Sequence, residues 1–208
     1  MQPRTRRFAT LLAAVGWTAL VLQFYLTTTH QMAEGRSFWW GVVVYCGYFT
    51  LTTNAFCALV ATAHAVPERL AARWAWWRQP VVVTCAMVSI IIVGSVYFLL
   101  LRHQYHPEGL QWVVDRFLHY LIPPAFVLFW WREVPHGRLE WMHLPQMLLY
   151  PSVYLLYLLI RGGLTGEYPY FFIDVARLGY LQALLNALGV AALFTVLASL
   201  GVKAKRRR

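Results

Sequence analysis

Charge is scarce in this 208-residue chain: 12% of its residues are charged and only 8 are acidic. Soluble domains carry about 25% charged residues, and disordered chains carry fewer apolar ones than the 60% found here. Both classes are excluded. Cysteine is scarce too. Cys46, Cys57 and Cys85 all fall inside apolar runs, which excludes a disulfide framework and predicts three small packing residues. There is no glycine-rich phosphate loop, no Gly-x-Ser-x-Gly elbow and no His-Glu-x-x-His. His103, His106 and Glu108 share one short loop without a spaced partner set, so neither a metal nor any other cofactor is expected.

What is present is a succession of apolar runs. They predict an all-α membrane bundle, one transmembrane domain over 1–208. Its six helices run at about 8–29, 39–66, 81–101, 111–131, 144–160 and 175–200. The first run follows Arg4, Arg6 and Arg7. Its roughly 22 apolar residues exceed the 7–15 of a signal-peptide core, so it is expected to remain as a helix. The second is longer than ~30 Å of hydrocarbon requires and should tilt, with Trp39 and Trp40 as an interfacial anchor. Residues 67–80 form a basic, tryptophan-rich connection expected at headgroup level. Pro151 interrupts the fifth run, and residues 161–174 are expected to be a loop.

A net charge of +10 would suggest nucleic acid in a soluble protein. Here the basic residues cluster between apolar runs. Thirteen Lys and Arg fall on one side, in 4–7, 69–78, 132–138 and 203–208. Five fall on the other: Arg36, Arg102, Arg116, Arg161 and Arg177. That bias predicts an integral membrane protein with both termini cytoplasmic and no nucleic-acid partner.

Polar residues inside the runs are where chemistry can reside. Thr50 lies eleven residues below Trp39, roughly 16 Å along a straight helix, and shares a face with Asn54. Such residues commonly join helices by hydrogen bonds. Asp115 and His119 are spaced i,i+4, so the carboxylate can orient the ring, as in the base half of a nucleophilic triad. His119, some eight residues below its own outer edge, is at a depth of roughly 12 Å, within a turn of Thr50. A Thr–His nucleophile–base pair is therefore one reading, and a buried pair that sets helix rotation is the other. Pro123 and Pro124 free carbonyls near 119–120 and can kink the helix open. Tyr168 and Tyr170, in a Tyr-Pro-Tyr segment, suggest a cap over an outward-facing site or an aromatic belt, with Asp174 and Arg177 pairing at its rim.

A longer set of residues resembles a known family. Tyr48-Phe49-Thr50 with Asn54, and Asp115-x-x-x-His119 with its prolines, are joined by Pro135-x-Gly137, Trp141, Tyr150-Pro151, Tyr154, Tyr157, Arg161-Gly162, Gly166-x-Tyr168-Pro169-Tyr170, Asp174, Leu178-Gly179-Tyr180 and Asn186. Over roughly 36–190 the chain resembles the androgen-induced and androgen-dependent TFPI-regulating membrane hydrolase family, in its bacterial six-span branch. The resemblance implies a threonine hydrolase of fatty acid esters of hydroxy fatty acids in a bacterial cytoplasmic membrane. It implies Thr50 as nucleophile and His119 as base. Asp115 has no obvious counterpart in the animal members, so its orienting role comes from spacing alone. Asn54 is the candidate oxyanion donor. Expected partners are membrane lipids and a lipophilic ester, and the sequence specifies no oligomeric state.

The alternative is a non-enzymatic membrane protein that binds or transports a lipid or small molecule, with Asp115, Arg116, Asp174 and Arg177 along a polar path. The third and sixth runs are almost wholly apolar in their inner halves, which counts against a channel but not against a binding pocket. An assembly partner without activity is the blandest reading.

Overall fold

A computed structural model describes residues 3–104 and 106–206, with side chains from Thr5 onward. These residues are 84% helical, with no strand among them. Eight helices follow in order: α1 (Pro3–Ala33), α2 (Phe38–Gly47), α3 (Phe49–Ala65), α4 (Pro80–Val96), α5 (Gly109–Arg116), α6 (Ile122–Glu133), α7 (Leu144–Thr165) and α8 (Val175–Lys205). Five stretches are long and apolar enough to cross a membrane: Thr5–Ala33, Pro80–Leu101, Gly109–Glu133, Trp141–Thr165 and Val175–Lys205. The bent pair α2 and α3 makes a sixth if counted as one span.

That pair corrects the expectation of one tilted helix over 39–66. The axis turns by 77° between α2 and α3, at an extended Tyr48 (φ −88°, ψ 125°). Broken backbone at membrane depth must have its polar groups satisfied internally, and two tyrosines do this. The Tyr154 hydroxyl donates to Gly47 O (2.7 Å), and the Phe49 N–H donates to the Tyr170 hydroxyl (2.9 Å). Close packing also constrains α2, since a Cβ at Gly41 would lie 2.9 Å from Thr28 Cα of α1.

Other boundaries shift for identifiable reasons. Arg161, Gly162 and Gly163 continue α7 and are not loop. The helix stops only at Gly166, whose left-handed conformation (φ 73°) ends it. Pro151 sits within α7 and cannot donate to Met147 O. The Cys85 thiol donates to that carbonyl instead (3.3 Å). Helix α8 extends past residue 200 to Lys205 and is interrupted by a non-helical Gly179 (φ 75°, ψ 161°). Wide π-turns extend α4 over Tyr97–Leu101 and join α5 to α6 over Phe117–Leu121. The basic connection folds as two 3-10 turns, Glu68–Trp74 and Trp76–Arg78. Cys57 and Cys85 are buried as expected, whereas Cys46 is exposed, and all three are free.

The start of α1 and the end of α8 lie at one end of the bundle. Arg6 Nε donates to Ala65 O (2.9 Å), Lys205 Nζ donates to Trp131 O (2.6 Å), and Gly137 N–H donates to Lys205 O (2.7 Å). Arg6, Arg78, Arg132, Lys205 and Arg206 of the thirteen basic residues make their contacts there. Arg207 and Arg208 of that set lie outside the described residues, as does the side chain of Arg4.

Candidate active site

Thr50 is the second residue of α3, immediately after the break. The bend makes the straight-helix depth count invalid, yet Thr50 and His119 do meet: Thr50 Oγ1 lies 3.4 Å from His119 Nε2. The other ring nitrogen, Nδ1, lies 3.0 Å from Asp115 Oδ1. A carboxylate only accepts. With Nδ1 donating in that contact, Nε2 of the neutral ring presents its lone pair to the threonine hydroxyl. The i,i+4 spacing runs from Asp115 in α5 to His119 inside the π-turn Phe117–Leu121. Insertions of this kind redirect side chains and recur at functional sites.

Asp115 is 2% exposed, and a buried carboxylate requires partners on both oxygens. Tyr97 supplies the second, its hydroxyl donating to Oδ2 at 2.7 Å. The same tyrosine stacks on the His119 ring (3.8 Å between centroids, 14° between planes). Sequence reasoning missed Tyr97. The available signal was a lone tyrosine near the outer end of an otherwise apolar run, opposite the Asp115 segment. Gly94 of α4 meets the proline pair closely: a Cβ there would touch Pro123 Cβ at 3.4 Å and His119 O at 3.6 Å.

The polar cluster around Thr50 divides its tasks. The Thr52 and Thr53 hydroxyls flank the Tyr150 hydroxyl at 3.1 and 3.0 Å. Asn54 is 1% exposed and its Nδ2 donates to the Thr50 carbonyl at 2.8 Å. It makes no hydrogen bond to the Thr50 hydroxyl, and its buried Oδ1 has no partner among the described residues. The expected oxyanion role for Asn54 is corrected accordingly: its amide is engaged by its own helix one turn back. The first backbone N–H groups of α3, those of Phe49 and Thr50, have no intrahelical acceptor.

Tyr170 lies at these N–H groups. It is 8% exposed. Its oxygen accepts from Phe49 N–H and faces the Thr50 N–H and hydroxyl. Burial pushes the phenol up to about 12, against the lowering effect of those donors. Tyr170 is thus an interior residue and not a rim one. Tyr168 is half-buried and packs flat over Gly162, where no side chain would fit. Asp174 does not pair with the Arg177 guanidinium. Its carboxylate caps α8, accepting the Arg177 backbone N–H at 3.2 Å, and the Arg177 side chain is exposed. Neither residue reaches Thr50. Arg102 Nε donates to His103 Nε2 at 3.0 Å, and no three metal-ligating side chains gather among the described residues.

A cavity of about 120 Å³ opens from Thr50. Ile92, Val96, Leu148, Pro151, Val190 and Phe194 of α4, α7 and α8 form much of its wall, with Thr50, Ser152, Tyr154 and Tyr170 as its polar points. No charged side chain lines it, and Thr50 at its edge links it to His119. Compared with family models, with curated proteins and with solved structures, the chain finds no match in any of the three.

Proposed function

We propose that this chain is a membrane-embedded hydrolase of lipophilic esters, of the fatty acid ester of hydroxy fatty acid type, with Thr50 as nucleophile and His119 as general base. The observation that carries the reading is the continuous chain Thr50–His119–Asp115–Tyr97, with contacts of 3.4, 3.0 and 2.7 Å, at the head of an apolar cavity. The likeness of residues 36–190 to the androgen-induced membrane hydrolases supports it. The basic bias supports termini on the cytoplasmic side of a bacterial inner membrane.

The chemistry follows from the tautomer. Thr50 Oγ attacks the ester carbonyl carbon while its proton passes to His119 Nε2. Asp115 and the stacked Tyr97 ring stabilise the imidazolium that forms. The oxyanion forms beside the Tyr170 hydroxyl and the first N–H groups of α3, where the helix dipole favours negative charge. Collapse breaks the ester C–O bond, and the leaving alcohol takes the proton from His119. Water then gives a proton to His119, attacks the acyl-threonine and releases the carboxylic acid. Thr50 regains its proton.

Labelling of the purified protein by a fluorophosphonate probe tests this reading. Wild type should label, while folded Thr50→Ala and His119→Ala should not. A folded wild type that stays unlabelled overturns the nucleophile assignment and favours the second reading, lipid binding without turnover, which the apolar cavity would also serve.

A further inference from the structure

Arg161 stands apart from the other cations at its end of the bundle. Arg36 pairs with Glu167 at 2.6 Å, Arg102 lies over the Phe98 ring at 3.7 Å, and Arg116 lies over Tyr120 at 4.6 Å. Arg161 is 7% exposed and forms no ion pair among the described residues. Its Nη1 donates to the Glu167 carbonyl at 2.9 Å, and its buried Nε has no partner among the described residues. A guanidinium carries five donors, and an uncompensated charge in a low-dielectric interior is strongly unfavourable.

Its position relates it to the cavity. The guanidinium lies over the helix break, where a Cβ on Gly47 would sit 3.1 Å from Arg161 Cζ. Tyr154, which lines the cavity, donates to Gly47 O from the other side. Arg161 follows Tyr154 by seven residues on α7, two turns along one face, or roughly 10 Å. The cavity continues from Tyr154 in the opposite direction, through Pro151 and Leu148.

We propose that Arg161 is the headgroup site for a long-chain carboxylate whose acyl chain runs past Thr50 into the cavity. A carboxylate matches the guanidinium fork. A single buried cation suits a singly charged carboxylate rather than a bulky phosphodiester; Arg177, which also forms no ion pair, is exposed. The inference rests on reading the cavity as an acyl site and deepens the hydrolase proposal by assigning Arg161 to the free carboxyl end of the ester substrate.

The test is binding in a Thr50→Ala background, so that loss of turnover and loss of recognition are separate results. The full chain in non-ionic detergent is titrated with oleate and with methyl oleate, read by thermal shift. Oleate should bind about 10-fold tighter or more, the size expected for a charge-assisted hydrogen bond. Arg161→Gln should abolish the preference and leave methyl oleate binding unchanged, and Arg161→Lys should retain part of it. If Arg161→Gln does not fold, Gly47→Ala provides the variant arm: its methyl group displaces the guanidinium and should lower oleate affinity selectively. Equal binding of oleate and methyl oleate by the parent overturns the proposal. So does a preference that survives both substitutions, or a phosphatidylglycerol that competes as well as oleate.

Discussion

The two ends of this bundle are built differently. Where the start of α1 and the end of α8 meet, the helices are regular and much of the packing is apolar, with Phe126, Phe129, Leu139 and Val202 fully buried and Phe8 against Phe129. Toward Thr50 the helices lose regularity. The second span breaks at Tyr48, π-turns occupy 97–101 and 117–121, Pro151 interrupts α7, and Gly179 interrupts α8. A regular helix consumes its backbone hydrogen bonds internally, and its side chains point where its period directs them. A broken one releases N–H and C=O groups and re-aims side chains. In a bilayer each released group must find a partner, so irregularity persists only where side chains such as Tyr154, Tyr170 and Cys85 supply one. One end holds the fold together, and the other holds polar groups in place.

Substitutions should separate the two ends. The largest effect is expected from Thr50→Ala: probe labelling and ester turnover fall by ~10⁴-fold or more with little change in melting temperature. Phe126→Ala should do the reverse. It removes a fully buried ring at the regular end and should cost about 3–5 kcal/mol of stability, with labelling per folded molecule nearly unchanged. Denaturation and labelling measured on the same preparation distinguish the two.

Tyr97→Phe keeps the ring stacked on His119 and leaves Asp115 Oδ2 unpaired. A buried acceptor without its donor costs about 1–3 kcal/mol. The rate of labelling should fall roughly 10–100-fold, with substrate affinity little affected.

A smaller effect concerns Tyr170 and alkaline pH. Burial raises its folded pKa from the ordinary 10 to about 12, so the folded state favours the neutral phenol. Its contribution to stability is complete below pH 10 and is lost as pH rises from 10 toward 12. Tyr170→Phe should flatten that part of the melting-temperature profile. The smallest effect belongs to Arg36→Ala. Arg36 and Glu167 are each nearly half exposed, and such a pair contributes less than about 1 kcal/mol. A clear loss of labelling in that variant would mean that the 166–174 loop needs this tether to keep Tyr170 in place.

Much of the site was legible because it obeys helical spacing. Asp115 and His119 are i,i+4, and their contact follows from that spacing. The polar character of Thr50 and Asn54 within an apolar run was equally plain. What failed were inferences that assumed straight helices. The depth of Thr50 was counted along one continuous span, and the break at Tyr48 removes that premise. Asn54 shares a face with Thr50 and for that reason bonds its carbonyl. Asp174 precedes Arg177 by three, a spacing that suits an ion pair on a helix surface and an N-cap equally well, and the helix starts there. Tyr97 and Arg161 were in view as a residue of the third run and a basic residue of the outer set, but their partners lie 18 residues away or in another element.

The sequence by itself determined that this chain is helical and apolar enough to sit in a membrane, because length and hydropathy of each run are local properties. It also biased the basic residues, thirteen against five, toward the connections of one side. Only the tertiary structure decided where the second span breaks, which N–H groups that break frees beside Thr50, and which side chains satisfy them. Those outcomes depend on Tyr154, Tyr170 and Tyr97 arriving from other helices and loops, and a released backbone group at membrane depth is tolerable only once such a partner has arrived.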